Sequence, residues 1–308
     1  MHEEAVKIYE GLGEEKEAIS RFFKWRYRKA RDRVWTIKKL YAFAMFLPMF
    51  LQIGRAYFDE LVYVDTHAGP GLAKVGNGEL DLVLGSPLIA LLWPKIIASN
   101  VSQFQGISEG FNKLLFIEMD SQTARILNMI ISKLDVDQDK IKIERADSNN
   151  ILGRGREYTK TFLNVEEDSL YLIFIDPFGE LESQIRYSKL ERFVNDHPKV
   201  DLVINLQSGS LAWGLSAIGN IDTFKGEIER LFGDAYQDPE VQDLSIPHII
   251  GGRRPTKDLV REDLVKLYEH VLRTRWDYKQ VYSLPVEYRE ETELYHLVFA
   301  TRSPGQKG

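Results

Sequence analysis

Cysteine is missing from all 308 residues of the chain. That excludes disulfides, thiolate metal sites, iron–sulfur clusters and cysteine nucleophiles in this polypeptide. The six histidines are scattered, and none forms an HExxH or another ligand-spaced pair. No structural metal is therefore expected. An excess of positive charge is lacking as well: the net charge is -6 and the pI near 5.7. A globally basic nucleic-acid binder is not indicated, and only a local basic patch remains open. The longest apolar run, Leu40 to Ile53, contains Pro48 and falls short of the ~20 residues a membrane span needs. A buried helix is the expectation there. The acidic, polar N-terminus has no signal-peptide pattern, so a cytoplasmic protein is expected. Several catalytic signatures are absent too. There is no GxxxxGK[ST] phosphate loop, no GxGxxG opening a helix, no kinase motif set and no GxSxG elbow.

What the chain does have is a hydrophobic fraction of 44%, enough to bury a substantial core. Residues 1 to 60 read as helical. Within them, residues 21–39 carry nine basic residues against one acid, with Phe22, Phe23, Trp25, Tyr27 and Trp35 interleaved. That composition suits a nucleic-acid surface. It equally suits a solvated helix face whose aromatics enter the core, which is the preferred reading.

An alternating pattern follows. Short apolar runs at Glu60 to Asp65, Lys113 to Asp120, Lys140 to Asp147, Ser169 to Gly179 and Lys199 to Gln207 are separated by helical stretches. Ser86 is placed to cap the first of these helices, and Pro94 is expected to kink or divide it. Strand–helix alternation predicts a mostly parallel sheet covered on both faces. The last two β-rich runs have too few residues between them for a parallel crossover, so they must pair antiparallel. The predicted fold class is α/β and Rossmann-like: a mostly parallel sheet closed by a C-terminal antiparallel hairpin. A helical extension over 1–58 precedes the α/β domain over 59–308, and the connection 236–260 reads as an insertion.

Acids recur at the strand ends. Asp65 ends the first strand, Glu118 and Asp120 the second, Asp147 the third and Asp176 the fourth. Ligands of open α/β sheets sit beyond the carboxyl ends of the strands. Carboxylates there can accept ribose hydroxyls and an adenine amino group, through the stronger, charge-assisted kind of hydrogen bond. The turn Ala68–Gly69–Pro70–Gly71 lets the backbone approach a ligand closely.

In their order, these motifs resemble those of class I S-adenosylmethionine-dependent methyltransferases. The closest resemblance is to the three-Cys-motif partner protein (TcmP) family. Its pattern is matched by Asp65 to Gly71, by Gly85–Ser86–Pro87 and by Asp176–Pro177–Phe178–Gly179, from about Trp35 onward. The resemblance implies an S-adenosyl-L-methionine cofactor held by Asp65, Ala68, Gly69, Gly71, Glu118, Asp120 and Asp147. It also implies an acceptor, such as a nucleobase amine, held by Asp176, Pro177 and Phe178. The family name implies association with a cysteine-rich protein resembling radical adenosylmethionine enzymes, and hence a second reading: a regulatory partner without chemistry of its own. Two departures stand out. Leu72 to Leu84 intervenes between the glycine turn and its helix, where it would reshape the pocket or act as a lid. Gly179 stands where amino-group methyltransferases have a tyrosine. His67 is read as a turn histidine.

Overall fold

The computed structural model describes residues 1–26, 34–76, 78–100, 110–177, 181–251, 257–287 and 293–302. The strands form a seven-stranded sheet in the order β5-β4-β1-β6-β7-β9-β8, plus the separate pair β2–β3. The expected α/β class is thus observed: a mostly parallel sheet ending in an antiparallel hairpin. The chain divides into two compact units, residues 1–147 with 163–172, and residues 148–162 with 173–308.

The first unit opens with α1 (His2–Gly11), α2 (Glu15–Arg26) and α3 (Val34–Tyr57). Next come β1 (Leu61–Asp65), β2 (Leu72–Lys74), β3 (Leu82–Leu84) and α4 (Ser86–Asn100). Then follow β4 (Lys113–Ile117), α5 (Ser121–Ser132) and β5 (Ile141–Glu144). Every residue of β1 is buried, its terminal Asp65 included, as in a strand covered on both faces. It pairs in parallel with β4, Asp65 opposite Phe116, and β4 pairs in parallel with β5. Asp120 caps α5: its side chain accepts from the Thr123 amide at 2.8 Å and from the Thr123 hydroxyl at 2.6 Å. The α5 face made by Ala124, Leu127 and Ile131 is buried.

Three expectations need adjusting. Helix α4 begins at Ser86 itself, so Ser86 is its first residue rather than its cap. It then runs unbroken through Pro94. A proline removes only one helical hydrogen bond, and the buried Leu88, Ile89 and Ala90 anchor the first turns. Helix α3 likewise continues through Pro48, but it is not a fully buried helix. Its window Thr36–Tyr57 is long and apolar enough to cross a membrane by length and composition, and 44% of that window is buried inside the protein.

The second unit contains α6 (Ser148–Leu152), α7 (Arg156–Tyr158) and the end of β6 (Leu170–Ile175). It continues with α8 (Tyr187–Asp196), β7 (Val200–Leu206), α9 (Ser208–Ser216) and α10 (Ile221–Phe232). It ends with α11 (Ser245–Ile250), α12 (Lys257–His270), β8 (Gln280–Glu287) and β9 (Glu293–Thr301). β9 pairs antiparallel with both β7 and β8. Pro285 lies in β8, the edge strand, where its missing amide costs least.

Candidate functional site

The site in the first unit is built on the turn after β1. Asp65 is fully buried. Its carboxylate accepts from the Tyr63 hydroxyl at 3.1 Å and from the His67 amide at 3.2 Å. It therefore braces the turn from inside. The Thr66 hydroxyl lies 2.8 Å from His67 Nδ1. The Ala68 amide donates to the Ile117 carbonyl at 3.0 Å, tying the turn to the end of β4. Gly69 and Gly71 both have positive φ, 65° and 81°, a conformation other residues adopt only at a cost.

Glu118, just beyond β4, completes this arrangement. It is 7% exposed. Oε2 accepts from the Gly69 amide at 3.0 Å, and Oε1 accepts from the Asp120 amide at 2.8 Å. Its own amide donates to the Glu144 carbonyl at the end of β5, at 3.0 Å. One carboxylate thus ties together the turns that follow β1 and β4, while its main chain ties in β5. The two acids expected beyond the second strand have separate places: Glu118 holds the glycine turn, and Asp120 caps α5. Asp147 is half-buried, at the start of the segment leading from β5 into α6. A Cβ placed at Gly69 would meet nothing within 4 Å among the described residues. The glycine turn and the Glu118 carboxylate that accepts from its Gly69 amide thus lie at the carboxyl ends of the adjacent strands β1 and β4.

The intervening segment Leu72 to Leu84 is an antiparallel hairpin, with Leu72 opposite Leu84. Its base is closed by the Gly85 amide, which donates to the Gly71 carbonyl at 2.7 Å. The chain leaves the glycine turn at Gly71 and returns beside it at Gly85, so α4 starts where an uninterrupted turn would have launched it. At Gly71 a Cβ would come within 2.9 Å of Leu127 Cδ1, and at Gly85 within 2.8 Å of the Gly71 carbonyl oxygen. Helix α1 lies against this hairpin: His2 Nδ1 is 2.8 Å from the Leu82 carbonyl, and the Tyr9 hydroxyl donates to Glu79 at 3.1 Å. Nothing in the sequence pattern pointed to that bracing.

In the second unit Asp176 follows β6, half-buried, and Pro177 beside it is buried. Phe178 lies outside the described residues, as do residues 27–33 of the basic stretch. The Asn205 side-chain amide on β7 donates to Asp176 Oδ1 at 2.5 Å. Tyr295 on β9 is buried, and burial, followed by the Asp176 charge, pushes its phenol well above the usual range. His296 Nδ1 lies 2.9 Å from the hydroxyl of the fully buried Ser208. Among the described residues Asn205 Oδ1 has no hydrogen-bond partner, and the residue lines a cavity of about 20 Å³ with Pro177, Gln184 and Tyr268. That volume suits a single water. Asn205 and Tyr295 were not singled out from the sequence. The available signal was a polar residue, Asn205, following the apolar run Leu202 to Ile204 of β7. Among the described residues, no group of three or more histidines, aspartates or glutamates is placed to hold a metal ion.

No family model matches the chain, and no curated protein does. Solved structures do. A protein from Legionella pneumophila, LPL1258, is 13% identical over 84% of this chain and 82% of its own, with a TM-score of 0.43. A proposed O-methyltransferase from Klebsiella pneumoniae is 10% identical over 93% and 97%, with a TM-score of 0.39. The plantazolicin methyltransferase BpumL, solved with SAH, is 12% identical over 98% and 100%, with a TM-score of 0.31.

Proposed function

We propose that the chain binds S-adenosyl-L-methionine at the carboxyl ends of β1, β4 and β5 and transfers its methyl group to an amine-bearing acceptor. The observation that carries the reading is the Glu118 carboxylate, drawn to the Gly69 and Asp120 amides. It sets an ionised acceptor against a glycine turn at the ends of adjacent strands. In this reading Gly69 and Gly71 admit the methionine end, and Asp65 acts through the turn it braces. Ala68 lines the turn, Glu118 and Asp120 face the ribose, and Asp147 takes the adenine amino group. The cofactor, when bound, supplies an electrophilic methyl on its sulfonium, so the protein contributes orientation and desolvation rather than a nucleophile. Asp176, held by Asn205, orients the acceptor nitrogen with Pro177 and Phe178, as the resemblance implies.

A second reading keeps the ligand and drops the chemistry: a regulatory partner of a cysteine-rich protein, as in the three-Cys-motif partner family. It draws support from the Asp176 carboxylate already being engaged by Asn205, so an incoming amine has to share it. Residues 21–39 would then offer a basic surface to nucleic acid under either reading.

Isothermal titration with S-adenosylmethionine tests the site. Binding by the wild type, weakened about tenfold or more in Glu118→Ala, is expected from the loss of one charge-assisted acceptor. Absence of heat in the wild type refutes the reading. Transfer of labelled methyl to nucleic acid by the wild type and by Asp176→Ala then separates the two functions. Binding without transfer supports the regulatory partner.

A further inference from the structure

Ile37, Tyr41, Met45, Met49, Ile53 and Tyr57, each four residues after the last, form a ridge that winds about 40° around α3 at each step, so that the central four share one side. All six are solvent-exposed, by 37% to 67% of their surface. The opposite side of the helix holds Leu40, Phe43, Ala44, Leu47 and Leu51 in the core of the first unit. A surface helix ordinarily turns charged and polar residues outward. Here residues 40–54 contain no charge at all.

The geometry and the area both point to another helix as the occupant. Residues four apart form the ridge that packs into the groove of a facing helix, at a crossing near -50°. The four that share a side expose roughly 500 Å² at whole-residue areas of about 200–250 Å². That is large for an apolar patch on a monomer, and two such ridges face to face would bury about 1,000 Å², the size at which a specific interface begins. Across a two-fold axis the same patch meets itself, so a charge near the centre would face its own copy. The charge-free stretch around Met45 and Met49 satisfies that condition, and the flexible thioethers can interdigitate with themselves. The membrane is the competing occupant. With 44% of the apolar window buried in the protein, crossing a bilayer would require the first unit to open.

We propose that α3 is a self-association surface, on which the Tyr41–Met45–Met49–Ile53 ridge of one chain packs against the same ridge of a second copy. The inference is independent of the adenosyl site.

The absence of cysteine gives a clean background for the test. A single Met45→Cys substitution, oxidised in dilute solution, should yield a crosslinked species of twice the 35.6 kDa chain mass. Glu240→Cys, at an exposed position of the other unit, should yield none. Sedimentation velocity should show a wild-type dimer, dissociating about a hundredfold more readily in the Met45→Glu/Met49→Glu double variant. The crosslink does not depend on the double variant folding. A wild type that stays monomeric at about 100 µM overturns the proposal. So does Met45→Cys crosslinking no better than Glu240→Cys, or a well-folded double variant that remains dimeric. Monomeric wild type that co-sediments with phosphatidylcholine–phosphatidylglycerol vesicles, and loses this in the double variant, assigns the face to lipid and also overturns it.

Discussion

At the scale of the residue, Glu118 is the side chain on which the first site depends. It is almost fully enclosed, and both its oxygens accept from backbone amides belonging to different turns. An ionised carboxylate meets two donors well. A primary amide does not, because its NH₂ group must face one of them. Glu118→Gln keeps the shape and reverses half of the hydrogen-bonding pattern. The expected cost is about 1–3 kcal/mol, the range for an unsatisfied buried donor or a lost bond to a charged group. Urea unfolding should show a lower midpoint at unchanged m-value, with a parallel loss of S-adenosylmethionine affinity. An unchanged midpoint would mean that the turn holds itself. The sequence singled out Glu118 and Asp120 but did not separate the structural places they take. Glu118 and Asp120 are two residues apart, and which of them caps the helix and which reaches the glycine turn depends on where β4 ends.

At the scale of the element, the hairpin of β2 and β3 explains how an insertion sits inside a glycine motif without destroying it. The Gly71 carbonyl and Gly85 amide close its neck at 2.7 Å. Any side chain at Gly85 would come within 2.8 Å of that same carbonyl oxygen, a backbone atom that cannot swing aside. Gly85→Ala should therefore open the neck and shift the start of α4, at a cost of about 1–3 kcal/mol. Gly69→Ala meets no neighbour, so it should cost only the left-handed backbone penalty of roughly 1–2 kcal/mol. Thermal melts of the two variants should rank them in that order, and equal losses would show that the neck can relax. β1 and β6 were legible because burial on both faces leaves nearly continuous apolar runs, and β5 because Ile141 and Ile143 alternate with charged residues. The antiparallel close was legible because so few residues separate the last two runs. The hairpin was not: its two strands are three residues each, too short to show a period, and its support by α1 is a long-range contact. The bonding of Asn205 to Asp176 was hidden for the same reason, since it joins side chains 29 positions apart.

At the scale of the whole molecule, two ionisable groups in the second unit, the buried His197 and the half-buried Asp201, give the protein opposing responses to pH. Burial pushes the Asp201 carboxyl up to about 6, outweighing the side-chain bond from Thr301, the Arg302 amide and the nearby Arg302 charge. Burial pushes the His197 imidazole down, despite the Phe193 carbonyl that accepts from it. The signs follow from linkage. Asp201 binds its proton more tightly folded than unfolded, so its contribution is complete below the unfolded value of about 4 and is lost as pH rises through about 6. His197 binds its proton less tightly when folded, so its contribution is complete above the ordinary histidine value and is lost as the solution is acidified. Across pH 4 to 6.5 the two partly cancel, and a wild-type stability profile alone cannot resolve either. Substitution can. Asp201→Asn retains an oxygen to accept from the Arg302 amide and removes the cost of desolvating an ionised carboxylate. It should stabilise the protein at pH 7.5 by on the order of 2 kcal/mol and leave it unchanged near pH 4. With Asp201 silent, the remaining profile should rise with pH through the range where His197 gives up its proton. Urea unfolding of both proteins at pH 4, 5.5 and 7.5 checks this. A gain that is equal at all three values would mean that the substitution repairs packing rather than charge, and would remove Asp201 from the pH response.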